Sequence, residues 1–140
     1  MTSSCFNDSL CGLRRLIGVE VRRHLKGIPR ETLAEFEDGD LLQGAAAMAT
    51  DPGYQREALR ALSALLHRVH GQPVVILIDE YDTPVHAAWQ HGYYDELMDF
   101  MRGLLSGAFK DNPHAFKCVI TGILRVARES VFSGLNNLKV

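Results

Sequence analysis

The sequence has few cysteines to pair, no long apolar run and no large excess of either charge. Its three cysteines are Cys5, Cys11 and Cys118. The count is odd and no CxxC pair occurs, so neither a disulfide framework nor a cysteine zinc site is expected, and a reduced setting fits best. No apolar stretch approaches the roughly 18–20 residues of a membrane span. The N-terminal MTSSCFNDSL lacks the basic and then apolar regions of a signal peptide, so the cytoplasm is the default location. There are 15 Lys and Arg against 17 Asp and Glu, a formal charge of −2. A pI near 6.3 argues against coating of nucleic acid as the main activity. Internal repeats and low-complexity segments are absent.

What is present is an ordinary globular composition. Of 140 residues, 46% are hydrophobic and 23% charged, which suits one domain with a real core. Arg14, Arg15, Arg22, Arg23, Lys26 and Arg30 make residues 14–30 basic. Glu31, Glu35, Glu37, Asp38 and Asp40 make residues 31–40 acidic. This reads as two solvated helix faces that could pair with each other.

A first helix is expected from the caps at Asn7-Asp8-Ser9, with Leu10, Leu13, Ile17, Val21 and Leu25 on one stripe and Gly27 and Pro29 at its end. Residues 31–50 suggest short helices around Gly39 and Gly44. Asp51-Pro52 opens a second clear helix with a Leu59, Leu62, Leu65, Leu66, Val69 stripe, closed by Gly71. Val74–Ile78 is a continuous β-branched and aliphatic run, expected to be a strand buried on both faces. A short helix from Thr83-Pro84 through Trp89 follows. Tyr94, Leu97, Met101, Leu104, Leu105 and Ala108 mark a longer one, stopped by Asp111-Asn112-Pro113. Residues 116–121 (FKCVIT) form the next strand. Strand, helix and strand make a parallel βαβ unit.

Ligands of open parallel sheets sit at the carboxyl ends of the strands. Here those ends are Asp79-Glu80 and Thr121-Gly122, expected on one sheet edge. Four apolar residues followed by Asp-Glu form the Walker B pattern of a nucleoside triphosphatase. Mg²⁺ prefers oxygen ligands and keeps several waters, so one well-placed carboxylate, Asp79, suffices. Glu80 would orient or deprotonate the attacking water, and Thr121 would sense the γ-phosphate.

The segments VVILIDEYDTP, YYDELMDFMRGLLSGAFKD and FKCVITGILRVARESVFSGLNNLKV closely resemble the AAA-ATPase-like family of prokaryotic P-loop ATPases. That ATPase domain is often followed by a PD-(D/E)XK nuclease-like domain. The resemblance is carried mainly by residues 55–140 and only faintly by residues 1–54. It implies an α/β fold, a partial P-loop three-layer sandwich of parallel strands comprising the Walker B and sensor half, over residues 1–140. Asp79 and Glu80 match the Walker B acids, with Asp79 the Mg²⁺ ligand. Thr121 matches the sensor-like position, and Arg125 the basic residue that follows TG and could face phosphate. Ser133–Asn137 match a signature turn. ATP and Mg²⁺ are the implied ligands of the intact domain.

One departure matters. No G-x-x-x-x-G-K-[ST], nor any Gly-Lys pair, occurs, so the phosphate loop that would hold the cofactor is missing. The sequence also stops at Val140, just after the signature, where the family continues. It therefore looks like an internal piece of a longer protein, inactive towards ATP by itself. A non-catalytic remnant that binds a protein partner or a second copy is the alternative. A metal-dependent nuclease using Asp79, Glu80 and Asp82 is a weaker one, since no D/E-x-K follows. Nucleic acid would be reached only through the missing nuclease-like domain. His67 and His70, three apart, could pair on a metal but read as a solvated helix end. His86 and His91 flank Trp89 and read as surface residues. Asp82-Thr83-Pro84 reads as a helix cap, Cys118 as buried and inert, and Ser106-Gly107 as mid-helix.

Overall fold

Apolar side chains at spacings of three and four wind Ser9–Leu25 into helix α1, as the periodicity predicts. The computed structural model describes residues 9–49, 51 and 53–122. Asn7, Asp8, Arg125 and the turn Ser133–Asn137 lie outside the described residues. Along α1, Ile17 and Val21 are buried, with Leu10, Leu13 and Leu25 packed beside them. Cys11 is disulfide-bonded, against the expectation from the odd cysteine count.

Two short helices follow, α2 (Arg30–Glu35) and α3 (Gly39–Ala46). Gly39 starts α3, but Gly44 lies within it rather than breaking it. Its missing side chain makes room for the Tyr54 ring, whose Cε1 would stand 2.8 Å from a Cβ there. The basic stretch of α1 is not simply solvated. Arg22 donates to the Ala46 carbonyl at 2.6 Å, and Arg14 to the Ala49 carbonyl at 2.7 Å and to Gln55 Oε1 at 3.2 Å. Guanidinium groups thus satisfy the carbonyls that a helix end leaves without intrahelical partners.

Helix α4 (Gly53–His70) begins where the Asp51 carboxylate accepts a 2.8 Å bond from the Gly53 N–H. It ends at Gly71, whose φ of +70° lets its N–H return to the His67 carbonyl at 2.8 Å. Its buried face is rotated from the leucine stripe: Gln55, Ala58, Ala61, Leu62, Ser63 and Leu65 are buried, while Val69 is exposed. Small alanines let α3 and α6 come close.

The remaining elements are β1 (Val74–Ile78), α5 (Asp82–His91), α6 (Tyr94–Phe109) and β2 (Ala115–Ile120). The strands pair in parallel, Ile76 opposite Cys118 and Ile78 opposite Ile120. Val74 pairs with Ala115 but Val75 with Lys117, so Phe116 is an extra, exposed residue in a bulge. Two apolar clusters share α6. One joins α1, α3, α4 and Phe100; the other joins α5, Leu97, Met98 and Leu105 beneath the sheet.

Among the described residues the architecture is mixed α/β, mostly helical, around a two-stranded parallel sheet. Only one sheet face is packed among the described residues. Ile76, Ile78, Cys118 and Ile120 meet the second cluster. On the other face Val75 and Leu77 are 54% and 73% exposed and Val119 is exposed as well. The expected burial of β1 on both faces is therefore corrected: among the described residues, no element covers the Val75–Leu77 face.

Candidate functional site

Parallel pairing carries the ends of β1 and β2 to one sheet edge, where Asp79, Glu80 and Thr121 converge. The ladder continues past the strands. The Thr121 N–H donates to the Ile78 carbonyl at 2.9 Å, and the Tyr81 N–H donates to the Thr121 carbonyl at 3.1 Å. The Thr121 hydroxyl then serves both acids. Its Oγ1 donates to Asp79 Oδ1 and accepts the Glu80 N–H at 3.2 Å. One hydroxyl can do both because it has one proton and two lone pairs. The three residues are brought together as the βαβ reading requires.

Glu80 has a φ of +52°. A side chain rarely adopts this left-handed backbone, and such strain gathers where a turn must aim a group. The turn leaves the Asp79 and Glu80 side chains exposed beyond the strand ends. It also lets α5 start at once, with the Thr83 N–H bonding to the Glu80 carbonyl at 3.1 Å.

Two neighbours were not legible as part of this edge. Tyr81 is buried, and its ring occupies the space where a Cβ at residue 122 would stand, so only glycine fits there. Asp82 is 7% exposed, inside the first turn of α5 rather than a surface cap. Its Oδ1 lies 3.0 Å from where a Gly122 Cβ would be. The sequence signal for them is the aromatic and acidic pair directly after Asp79-Glu80.

The other candidates fall elsewhere. His86 and His91 are exposed, as expected. Cys118 is a free, half-buried thiol, and burial pushes its pKa up, which suits an inert residue. Ser106-Gly107 lies within α6. His67 does not pair with His70: its Nδ1 lies 3.0 Å from His114 Nδ1, across the fold.

Mg²⁺ bound with a nucleotide takes most of its oxygens from phosphate and water, and an exposed Asp79 whose carboxylate is held by a hydroxyl fits that need. A bare metal does not fit as well. Among the described residues, no three His, Cys, Asp or Glu side chains converge on one metal position. This weighs against a nuclease centre built from Asp79, Glu80 and Asp82. No helix among the described residues is long and apolar enough to cross a membrane.

The chain is 33% identical over 88 residues to an uncharacterized protein in the vnfD 5'region of Azotobacter chroococcum mcd 1. The similarity covers 60% of this chain and 17% of that protein, so the chain spans a small part of its relative's length. No solved structure matches. A family model described as predicted AAA-ATPase matches residues 19–132, reaching back through α1 to include every described element from Val19 onward, and the chain belongs to that AAA-ATPase-like family.

Proposed function

We propose that this chain carries the Walker B and sensor half of an ATP-hydrolysing P-loop domain, a three-layer sandwich when intact. The observation that carries the reading is the Asp79–Thr121–Glu80 junction at the carboxyl ends of two adjacent parallel strands. Asp79 is the Mg²⁺ ligand, its carboxylate oriented by the Thr121 hydroxyl. Glu80 is the general base or water-positioning group. Thr121 holds both at fixed separation. Arg125, outside the described residues, is the proposed phosphate-facing cation. Bound Mg²⁺–ATP supplies the electrophilic phosphorus and neutralises the oxygens around it.

The open sheet face supports the sandwich. Val75, Leu77 and Val119 present apolar area that a second helical layer would bury. The same face also favours a second reading, a protein-interaction module without catalysis, in which a partner covers it.

Phosphate release separates the two. The 140-residue chain has no Gly-Lys-Ser/Thr loop. Positioning by that loop is most of phosphoryl-transfer catalysis, so the chain alone should release no phosphate from ATP. A version extended upstream through such a loop should turn over. Glu80→Gln in the extended version should abolish turnover and leave ATP binding intact, since an amide keeps the shape but accepts no proton. Turnover by the short chain, or an unaffected Glu80→Gln, would overturn the assignment.

A further inference from the structure

The end of the sheet opposite Asp79 carries a second group of chemically active side chains. His67 stands in the last turn of α4 and His114 immediately before β2. Their Nδ1 atoms are 3.0 Å apart, with the rings edge to face at 68°. Forty-seven residues separate them in sequence, so the tertiary fold makes the pair.

Both rings are mounted on fixed backbone. The His67 carbonyl accepts the Gly71 N–H, and the His114 carbonyl accepts the Val74 N–H at 2.8 Å. Asn112 adds a brace: its Oδ1 accepts the His114 N–H at 3.1 Å, while its Nδ2 donates to Ser63 Oγ and to the Ala108 carbonyl. Both histidines are half-buried. Two ring nitrogens at this distance either share one N–H in a neutral N–H···N hydrogen bond or both turn lone pairs to a metal ion, because two facing lone pairs repel.

We propose that His67 and His114 form a two-imidazole site for a divalent transition-metal ion of the copper or nickel kind. The geometry selects the class. Nitrogens 3.0 Å apart, each about 2.0–2.1 Å from one ion, subtend about 95° at it. That is the cis angle of square-planar or octahedral coordination, not the roughly 109° of tetrahedral zinc. Neutral imidazole is a good ligand for copper and nickel. The remaining positions are filled by water, since no third His, Cys, Asp or Glu among the described residues converges there. A bound ion would tie the end of α4 to the start of β2. The site is independent of the ATPase reading.

Ni²⁺ titration of the untagged chain, followed by calorimetry and visible absorption, tests this. One Ni²⁺ per chain should bind and raise the melting temperature. His67→Gln and His114→Gln should each weaken binding about tenfold or more, and His70→Gln should leave it unchanged. Zn²⁺ should bind more weakly than Ni²⁺. Two variants on different elements keep the test decisive if one of them fails to fold. Absence of saturable Ni²⁺ binding to the wild-type chain would show that a proton alone bridges the rings and would overturn the proposal. Binding retained in both His67→Gln and His114→Gln, or lost in His70→Gln, would overturn it equally.

Discussion

The two faces of the β1–β2 sheet are built from the same kinds of side chain, yet their fates differ. Ile76, Ile78, Cys118 and Ile120 rest on α5 and α6, whereas Val75, Leu77 and Val119 stand exposed. Hydrophobicity alone did not decide which residues are covered. The deciding factor is where α5 and α6 cross back between the strands, bringing Leu97, Met98 and Leu105 under one face only. An apolar face that no described element covers is a place where another apolar surface can dock.

The sharpest way to break this contrast is to truncate matched residues on the two faces. Leu105→Ala, beneath the covered face and 1% exposed, should cost about 3 kcal/mol. Ile78→Ala, half-buried, should cost about 2 kcal/mol, and Leu77→Ala should stay within about 0.5 kcal/mol. Urea denaturation of the three variants reads these directly. Equal losses at Ile78 and Leu77 would show that the outer face is covered in solution, and the contrast would vanish.

The strand end sets the next effect. Thr121→Val keeps the shape but removes the hydroxyl that links Asp79 to the Glu80 N–H. The edge is exposed, so the expected loss is about 1 kcal/mol, read by the same denaturation. Glu80→Gly should go the other way. Relief of the φ of +52° should stabilise the fold by up to about 1 kcal/mol while removing the proposed base. A variant that is more stable but without turnover in the extended protein would show that the turn stores strain for function; a destabilised Glu80→Gly would show that the side chain itself holds the turn.

The smallest effect lies far from the sheet. Burial by itself would raise the pKa of Glu20. Hydrogen bonds from Arg23 at 2.5 Å and His24 at 3.0 Å, with their charge, outweigh it and hold the carboxyl below the ordinary glutamate value. A depressed folded-state pKa contributes stability above the unfolded value and loses it as pH falls through the folded one. The melting-temperature difference between wild type and Glu20→Gln should therefore be small near neutrality and close in acid. Both ends of the pair are substantially exposed, so the effect is slight. A difference that grows in acid would reverse the sign of the argument.

The sequence made several elements readable. Leu10 to Leu25 marked α1, Tyr94 to Ala108 marked α6, and β1 and β2 were placed within a residue. Asp79, Glu80 and Thr121 were expected at one edge and are found there, because strand ends preceding loops are dictated by local chemistry and parallel pairing. Their catalytic roles remain part of the proposal. What could not be read depended on partners distant in sequence. Val74–Ile78 is apolar throughout, so it has no alternation to show which face would be left open. Leu59 to Val69 gave a plausible stripe on α4, but Ala58 and Ala61 are buried on it as well, and alanine leaves no period for a pattern search. His114 has no sequence relation to His67, and the apparent partner His70 was only a neighbour along the helix. Tyr81 and Gly122 fit each other only once the two strand ends lie side by side.

Thr121 has contacts with Ile78, Asp79, Glu80 and Tyr81, four consecutive positions of another chain segment. In mechanical terms it is a coupling pin. A tug of even a fraction of an ångström on the end of β2 cannot be absorbed by a slack loop, because every residue from the end of β1 to the threshold of α5 is fastened to the same amino acid. A pull next to residue 121 is therefore felt at once by the Asp79 carboxylate and by the Glu80 backbone, through one threonine.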